Sequence, residues 1–388
     1  MEKKKLLIVG GGNLCLQILK ILAPHNAFTF YAASRDLEKV TRSCNLIQLS
    51  CLQLGTLCTI HPLAMDLGEG NVEENSGIIS RIRPDIILNC ASLQSWRVIT
   101  QLPGAVYQAL DQAQFGPWLP MHLAPAYELM RAVKHSGVRA ITVNCAFPDA
   151  VNVVLDKVGM APDTGIGNVA NLVPATRMAI ARLAMCSPEV VQVRLVAQHF
   201  FSHYVPRAGL PSVANYSLNY RVNGVECTGA FDPALIFDSV RTQFRRLGGV
   251  EGQFLTATSA VSVIQNLFAD VEVMTHAPGP GGLPGGYPVS VGMGRVLLSL
   301  PYGLTRAEAI AINQRGQQQD GIRAIHADGS VSFELEQMAI METLLGYCVS
   351  RMALHDVHQW AAELARKYQA FAQMIDKRGS TRHGLYPA

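Results

Sequence analysis

Charge is scarce in this chain. Asp, Glu, Lys and Arg make up 16% of its 388 residues, and the formal net charge is +3. So small an excess is too little to imply nucleic acid or an anionic membrane as a partner. Paired cysteines are also missing. Nine are scattered with no C-x-x-C spacing, which speaks against a zinc site or a disulfide framework and fits free thiols in a reducing cytoplasm. There is no H-E-x-x-H metal motif,. No uninterrupted apolar run reaches membrane-helix length. Lys3, Lys4 and Lys5 precede an apolar run, but three glycines, Asn13, Gln17 and Lys20 break it, and no small-x-small cleavage site follows,. The chain has no internal repeat and no stretch of disordered composition. What it does have is apolar content: 49% of residues, enough for a large core in two domains or one big α/β unit.

That core is announced by Leu6 to Leu22, LLIVGGGNLCLQILKIL. Leu6 to Val9 have the composition of a buried parallel strand. Gly10, Gly11 and Gly12 follow. Leu14, Ile18, Leu19 and Leu22 then recur at helical spacing. Strand, glycine turn and helix open a dinucleotide-binding βαβ unit, because glycines let the backbone approach a pyrophosphate and the helix N-terminus offers free N–H groups. Cys15 stands where the strict G-x-G-x-x-G pattern has its third glycine; it is small enough for close helix–strand packing. Gly10, Gly12, Asn13 and Leu14 are therefore candidate cofactor contacts.

The next strand, Ala27 to Ala33, ends in Ser34 and Arg35 rather than in the acidic residue that binds ribose hydroxyls in NAD-specific folds,. A hydroxyl and a guanidinium suit a 2′-phosphate, so NADP is expected over NAD. Asp36 follows and keeps NAD open, and Arg35 also reads as a solvated surface charge. Thr59 to Met65 reads as the third strand, with Asp66 at its end as an adenine contact or a helix cap. Ile86 to Leu88 reads as the fourth. The small residues behind it, Asn89, Cys90 and Ala91, leave room for a cofactor across the sheet edge,. Residues 93–120 read as an irregular lid carrying Arg97. Helix follows from Met121, then a strand from Ala140 to Val143 ended by Asn144. The Rossmann-type doubly wound sheet is expected to occupy residues 1–150, and a second α+β domain for substrate and dimerisation residues 151–388. In that second part, Val190 to Ala197 reads as a strand leading to His199 and His203. Residues 205–235 read as hairpin material, Thr305 and Glu308 form a capping box, and apolar helices over 334–375 suit a homodimer interface.

In order, these signals resemble the lactate/malate dehydrogenase superfamily over most of residues 5–315. There, a glycine turn opens the chain and an arginine-bearing loop follows the fourth strand. An Asn ends the next strand in Asn-Pro-x-Asp, Gly-x-Gly leads a helix with the site's Asp and Arg, and a histidine follows a later strand. The matching positions are Gly10 to Gly12, Arg97, Asn144, Gly165-Ile166-Gly167 and His199. Three positions depart from the pattern. Asn144-Cys-Ala-Phe-Pro148-Asp149 replaces the Asn-Pro-x-Asp motif. Asn171 stands where the family's aspartate orients the histidine, and Pro174 where its substrate arginine comes, with Arg177 a turn beyond. The first domain is also similar to saccharopine dehydrogenase-like NADP-binding proteins, which form or reduce imines.

Hydride transfer needs one group that gives or takes a proton near neutrality, which suits histidine. His199, with Asn144, Asn171 and Arg97, forms the expected catalytic set; His203 is the local alternative, and a hydrogen-bonded core histidine is the plain structural reading of His199. His355 and His358 read as helix surface rather than metal ligands. The expectation is an NAD(P)-dependent oxidoreductase of a small polar carbonyl, alcohol or imine. The alternatives are a lyase or isomerase that recycles a bound nicotinamide, and a dinucleotide sensor without catalysis.

Overall fold

The structure, a computed structural model, describes residues 3–383, except for the side chains of Trp96, Arg97 and residues 377–383. Its first half alternates strand and helix: β1 (Lys4–Val9), α1 (Asn13–Leu22), β2 (Phe28–Ser34), α2 (Leu37–Gln53), β3 (Thr59–Ala64), α3 (Val72–Ile82), β4 (Ile86–Asn89), α4 (Gly104–Asp111), α5 (Leu119–Ser136), β5 (Ile141–Asn144), α6 (Pro148–Asp156) and β6 (Thr164–Gly165). The strands form one parallel sheet in the order β3-β2-β1-β4-β5-β6. Strand order reverses between β1 and β4, which opens a crevice at their carboxyl ends. Side chains alternate across the sheet. Leu6 and Ile8 enter a cluster with Ile18 and Leu22 of α1. Leu7 and Val9 enter another with Ile79 of α3 and Leu129 of α5. Both faces are covered, which is why these strands are apolar throughout. The sheet runs past residue 150, because β6 adds its sixth strand at 164–165.

The chain continues through α7 (Val169–Leu183), β7 (Val191–Ala197), α8 (His199–Ala208), β8 (Tyr216–Val222), β9 (Val225–Glu226), α9 (Pro233–Thr242), α10 (Gly249–Asn266), β10 (Val273–Pro278), β11 (Gly286–Gly292), β12 (Arg295–Leu298) and α11 (Arg306–Gln319). Here the strands pair antiparallel, β10-β11-β7-β8-β9, with β12 on β11. The expected hairpin within 205–235 is β8–β9, although its first residues belong to α8. The capping box is formed: the Thr305 hydroxyl accepts from the Glu308 N–H at 3.2 Å, and Glu308 accepts from the Thr305 N–H at 2.8 Å. Residue Val261 and Ile264 of α10 join the cluster that holds α1, so the second half is packed against the helix behind the glycine turn.

A third sheet, β13 (Ile322–Ile325), β14 (Val331–Phe333) and, after α12 (Leu335–Leu345), β15 (Arg351–Met352), precedes the last helix, α13 (Val357–His383). Two expectations bear on this region and on residues 93–120. Many of the apolar residues of 334–375 are covered by the chain itself. Met341, Leu364, Tyr368 and Phe371 share a core with Trp118 and Leu119, and His358 Nε2 lies 2.9 Å from the buried Glu128 carboxylate of α5. Periodicity marks an apolar stripe but not what covers it, and here the chain covers its own. Nor is 93–120 irregular throughout: it contains α4, and Ile99, Leu110 and Trp118 are buried in that same core. Among the described residues no helix is long and apolar enough to cross a membrane.

Candidate active site

At the crevice, Gly10 adopts φ +113°, and a Cβ there would fall 2.7 Å from the Ala91 nitrogen and the Cys90 carbonyl carbon. Its N–H donates to Ala33 O at 2.8 Å. The backbone thus threads between the ends of β2 and β4, where only glycine fits. A Cβ at Gly11 would crowd the Ser34 hydroxyl at 2.9 Å. Gly12 caps α1 without a side-chain hydrogen bond, so the first-turn N–H groups stay open. Cys15 is buried against the sheet in place of a third glycine. Asn13 turns away from the turn and donates to Gln253 Oε1 of α10 at 2.7 Å, while Leu14 packs against the core. Gly10→Ala is expected to destabilise the fold by about 1–3 kcal/mol, read as a lower urea midpoint, because it adds both backbone strain and a clash with fixed backbone.

The strand ends differ in what they offer. Ser34 and the exposed Arg35 close β2. Asp36 is engaged elsewhere: its carboxylate accepts the Lys39 N–H at 2.9 Å and caps α2. Asp66 accepts the Gly68 N–H at 3.1 Å, closing the turn before α3. Asn89 donates to Asn144 Oδ1 at 3.0 Å and accepts the Ala91 N–H at 3.0 Å. Cys90 Sγ lies 3.6 Å from Cys145 Sγ.

Asn144 departs from expectation. It is fully buried. Its amide donates to Ala146 O and to Asn152 Oδ1, at 3.0 and 2.9 Å, and its oxygen accepts from Asn89 and the Ala146 N–H. Its hydrogen-bonding capacity is used up inside the protein, so it ties β4 to β5 and α6 instead of meeting a ligand. Arg177 also points elsewhere, to the carbonyls of Pro188 and Glu189. The side chain of Arg97 lies outside the described residues.

His199 begins α8 directly after β7. Gln198, the cap of α8, accepts the Phe200 N–H at 2.6 Å and donates through Nε2 to Asp320 Oδ2 at 2.9 Å. His199 Nδ1 lies 2.9 Å from the same Asp320 oxygen. Its backbone N–H donates to Asp149 Oδ1 at 2.9 Å, and the other Asp149 oxygen accepts from Asn168. Phe115 and Phe147 wall the imidazole, with centroids 4.8 and 5.5 Å away, and His203 stacks on it at 5.6 Å. Both Phe147 and Asn168 hold positive φ, +46° and +49°, a strain that non-glycine residues sustain where the surroundings over-determine them.

Burial disfavours the charged imidazole, but the Asp320 carboxylate, helped by Asp149, outweighs it and holds the His199 pKa above its usual value,. Burial raises the Asp149 carboxyl to about 6. His203 is shifted the other way. Burial pulls its pKa down despite its contact with Asp111. Asp111 is itself held at about 2: burial pushes it up, and His203 and Arg207 override that. Because a carboxylate takes Nδ1–H, His199 keeps Nε2 for proton exchange. The ring borders a cleft of about 720 Å³ shared with His203, Asn168, Asn171, Arg207 and Gln253.

The structure thus brings together His199, His203 and Asn171, with Asn13 linked to the same cleft through Gln253. Asn171 does not orient His199. It lies inside α7, whose cap is Asn168, and donates to Thr256 Oγ1 at 2.9 Å; its Oδ1 is buried without a partner among the described residues. The orienting carboxylate is Asp320, 121 positions away in sequence at the end of α11. Sequence reading missed it, because a lone aspartate after a helix carries no motif. Asp149 did leave a trace, in the altered Asn-Pro-x-Asp segment.

No family model matches this sequence, and neither does any curated protein. Solved structures do match in fold. A lactate dehydrogenase from Eimeria maxima, solved with NADH and oxamate, superposes with TM-score 0.56 at 14% identity over 82% of this chain and 92% of its own. A malate dehydrogenase from Cryptosporidium parvum gives 0.55 at 16% over 82% and 96%. The malate dehydrogenase of Plasmodium falciparum gives 0.53 at 14% over 82% and 98%. Similarity at this identity defines the fold: a Rossmann-type parallel sheet joined to an α+β region, the architecture of lactate and malate dehydrogenases.

Proposed function

We propose that this chain is an NAD(P)-dependent oxidoreductase that interconverts a small polar carbonyl or imine with its reduced form. The observation that carries this reading is the His199–Asp320 pair, set in a cleft that Asn13 and Gln253 join to the glycine turn. The residues fit a dinucleotide. Gly10 leaves a cradle that a Cβ would fill, Gly12 leaves the α1 N-terminus open, and Asn89, Cys90 and Ala91 form the small floor between them. When bound, the nicotinamide supplies or accepts the hydride. His199 Nε2 gives a proton to the substrate heteroatom in reduction and takes it back in oxidation. Asp320 fixes the tautomer through Nδ1 and stabilises the imidazolium. Phe115 and Phe147 keep water from the ring. Residues 1–150, with β6, hold the dinucleotide, and the remainder builds the substrate side. All nine cysteines are free thiols, in keeping with a cytoplasmic setting.

NADP is the preferred cofactor in this reading. With Asp36 engaged as a helix cap, Ser34 and Arg35 are the groups left to meet a ribose 2′-substituent. Fluorescence titration tests both claims. NADPH is expected to bind more tightly than NADH, and Arg35→Asp to weaken NADPH by about tenfold or more, roughly 1.4 kcal/mol, while sparing NADH. Failure of both nucleotides to bind would refute the oxidoreductase reading. An unchanged NADPH affinity in the variant would refute the role of Arg35.

A further inference from the structure

The cleft beside His199 is charged in one sense only. Arg207 of α8 and Arg241 of α9 line it, as do Arg245 and Arg246 from the link between α9 and α10. No aspartate or glutamate is among its described lining residues. This concentration stands out in a chain with 32 basic and 29 acidic residues. Two of the four are matched from outside the cleft: Arg207 pairs with Asp111 and Arg241 with Asp238. Arg245 and Arg246 form no ion pair among the described residues. Gly248 and Gly249 then start α10, an 18-residue helix with no side-chain cap, and both border the cleft. Its first-turn N–H groups and the positive end of its dipole add to the same field, and Glu251 in that turn offsets part of it,.

We propose that the substrate is a dianion, whose reacting carbon sits at His199 and whose doubly charged end, a phosphate ester or a pair of carboxylates, is held by Arg245 and Arg246 at the start of α10. This rests on the oxidoreductase reading and adds a substrate class to it. The argument is one of charge balance. Two exposed guanidinium groups without carboxylate partners stand close to the start of a helix whose first turn carries one carboxylate, Glu251, and so remain available to an anion from solution. Guanidinium forks meet carboxylate and phosphate oxygens two at a time, which gives orientation as well as affinity. The position where the lactate/malate resemblance places a substrate arginine is occupied by Pro174, so recognition of the anion passes to a different part of the chain. The rival occupant is the cofactor diphosphate, because Asn13 joins this cleft to the α1 N-terminus.

Calorimetric titrations at fixed ionic strength separate these cases. Acetate, malonate and glycerol 1-phosphate are titrated into the full chain, with and without saturating NADH. Malonate or the phosphate ester is expected to bind at least about tenfold more tightly than acetate; whichever is tighter names the type of dianion. The R245Q/R246Q variant is expected to lose that preference and to keep its melting temperature and NADH affinity. R42Q, a charge change on the exposed face of α2, is expected to retain the preference. Equal affinity for acetate and both dianions overturns the proposal, as does an unchanged preference in R245Q/R246Q. Displacement of NADH by either dianion also overturns it and assigns the arginines to the cofactor. Failure of NADH and NADPH alike to bind in the absence of any anion refutes the oxidoreductase reading instead, and the titrations without nucleotide still decide the anion site.

Discussion

His199→Gln is expected to lower NAD(P)H-coupled turnover by roughly a hundred- to ten-thousand-fold, the range that removal of a positioned acid–base group produces. Nucleotide affinity should stay close to that of the parent protein, since no cofactor contact proposed here involves the imidazole. The loss belongs in kcat rather than in KM, because the proton moves only as the reaction proceeds. Glutamine keeps a donor near Asp320 and avoids leaving that buried carboxylate with a lost partner,. Folding is therefore preserved, and a melting curve on the same sample checks it. Full retention of turnover would move the acid–base role away from His199. His203 would be the next candidate, at 5.6 Å in a parallel stack.

Asp320→Asn has the second largest expected effect, and its signature is a shift in pH dependence. Asp320 raises the His199 pKa against the pull of burial. In carbonyl reduction His199 must start protonated. The parent rate is then sustained at low pH and falls as pH rises through the His199 pKa. Asparagine removes the charge that favours the imidazolium, so this falling limb moves to lower pH. At neutral pH a larger share of the enzyme then carries neutral His199 and reduction slows. In oxidation the neutral ring is required, so the rising limb also moves to lower pH. Each pKa unit corresponds to about 1.4 kcal/mol, or tenfold in the protonation equilibrium. A fall in reduction at neutral pH is therefore expected, together with the shifted profile. A fall in rate with an unmoved profile would mean that Asp320 only packs. The profile thus separates a positioning residue from a structural one.

Much of the fold could be read without coordinates, and for a physical reason. Leu6 to Leu22 encodes a strand, a glycine turn and a helix through local pattern alone: apolar run, φ-permissive residues, then a 3.6-residue period. The structure has β1, Gly10 at positive φ, and α1 at those positions. The capping box at Thr305 and Glu308 is equally local. His199 was legible for the same reason, as a titratable residue directly after an apolar strand.

The partners of these residues were not legible. Asn144 looked like a ligand contact, but only the packing of β4, β5 and α6 shows its amide consumed by Asn89, Ala146 and Asn152. The helices over 334–375 show an apolar stripe, which reads in the sequence as a dimer interface. The packing of α13 on α5, with His358 against Glu128, covers much of that stripe from within the chain. Asp320 and the arginines of α8, α9 and the following link carry no local pattern. The sequence by itself determined the opening strand, glycine turn and helix, the capping box and the titratable residue at the end of β7, because short-range sterics and periodicity specify these. The tertiary structure decided which carboxylate faces His199 and where the positive charge collects, because electrostatic partnership depends on distance in space, and chain separation does not encode it.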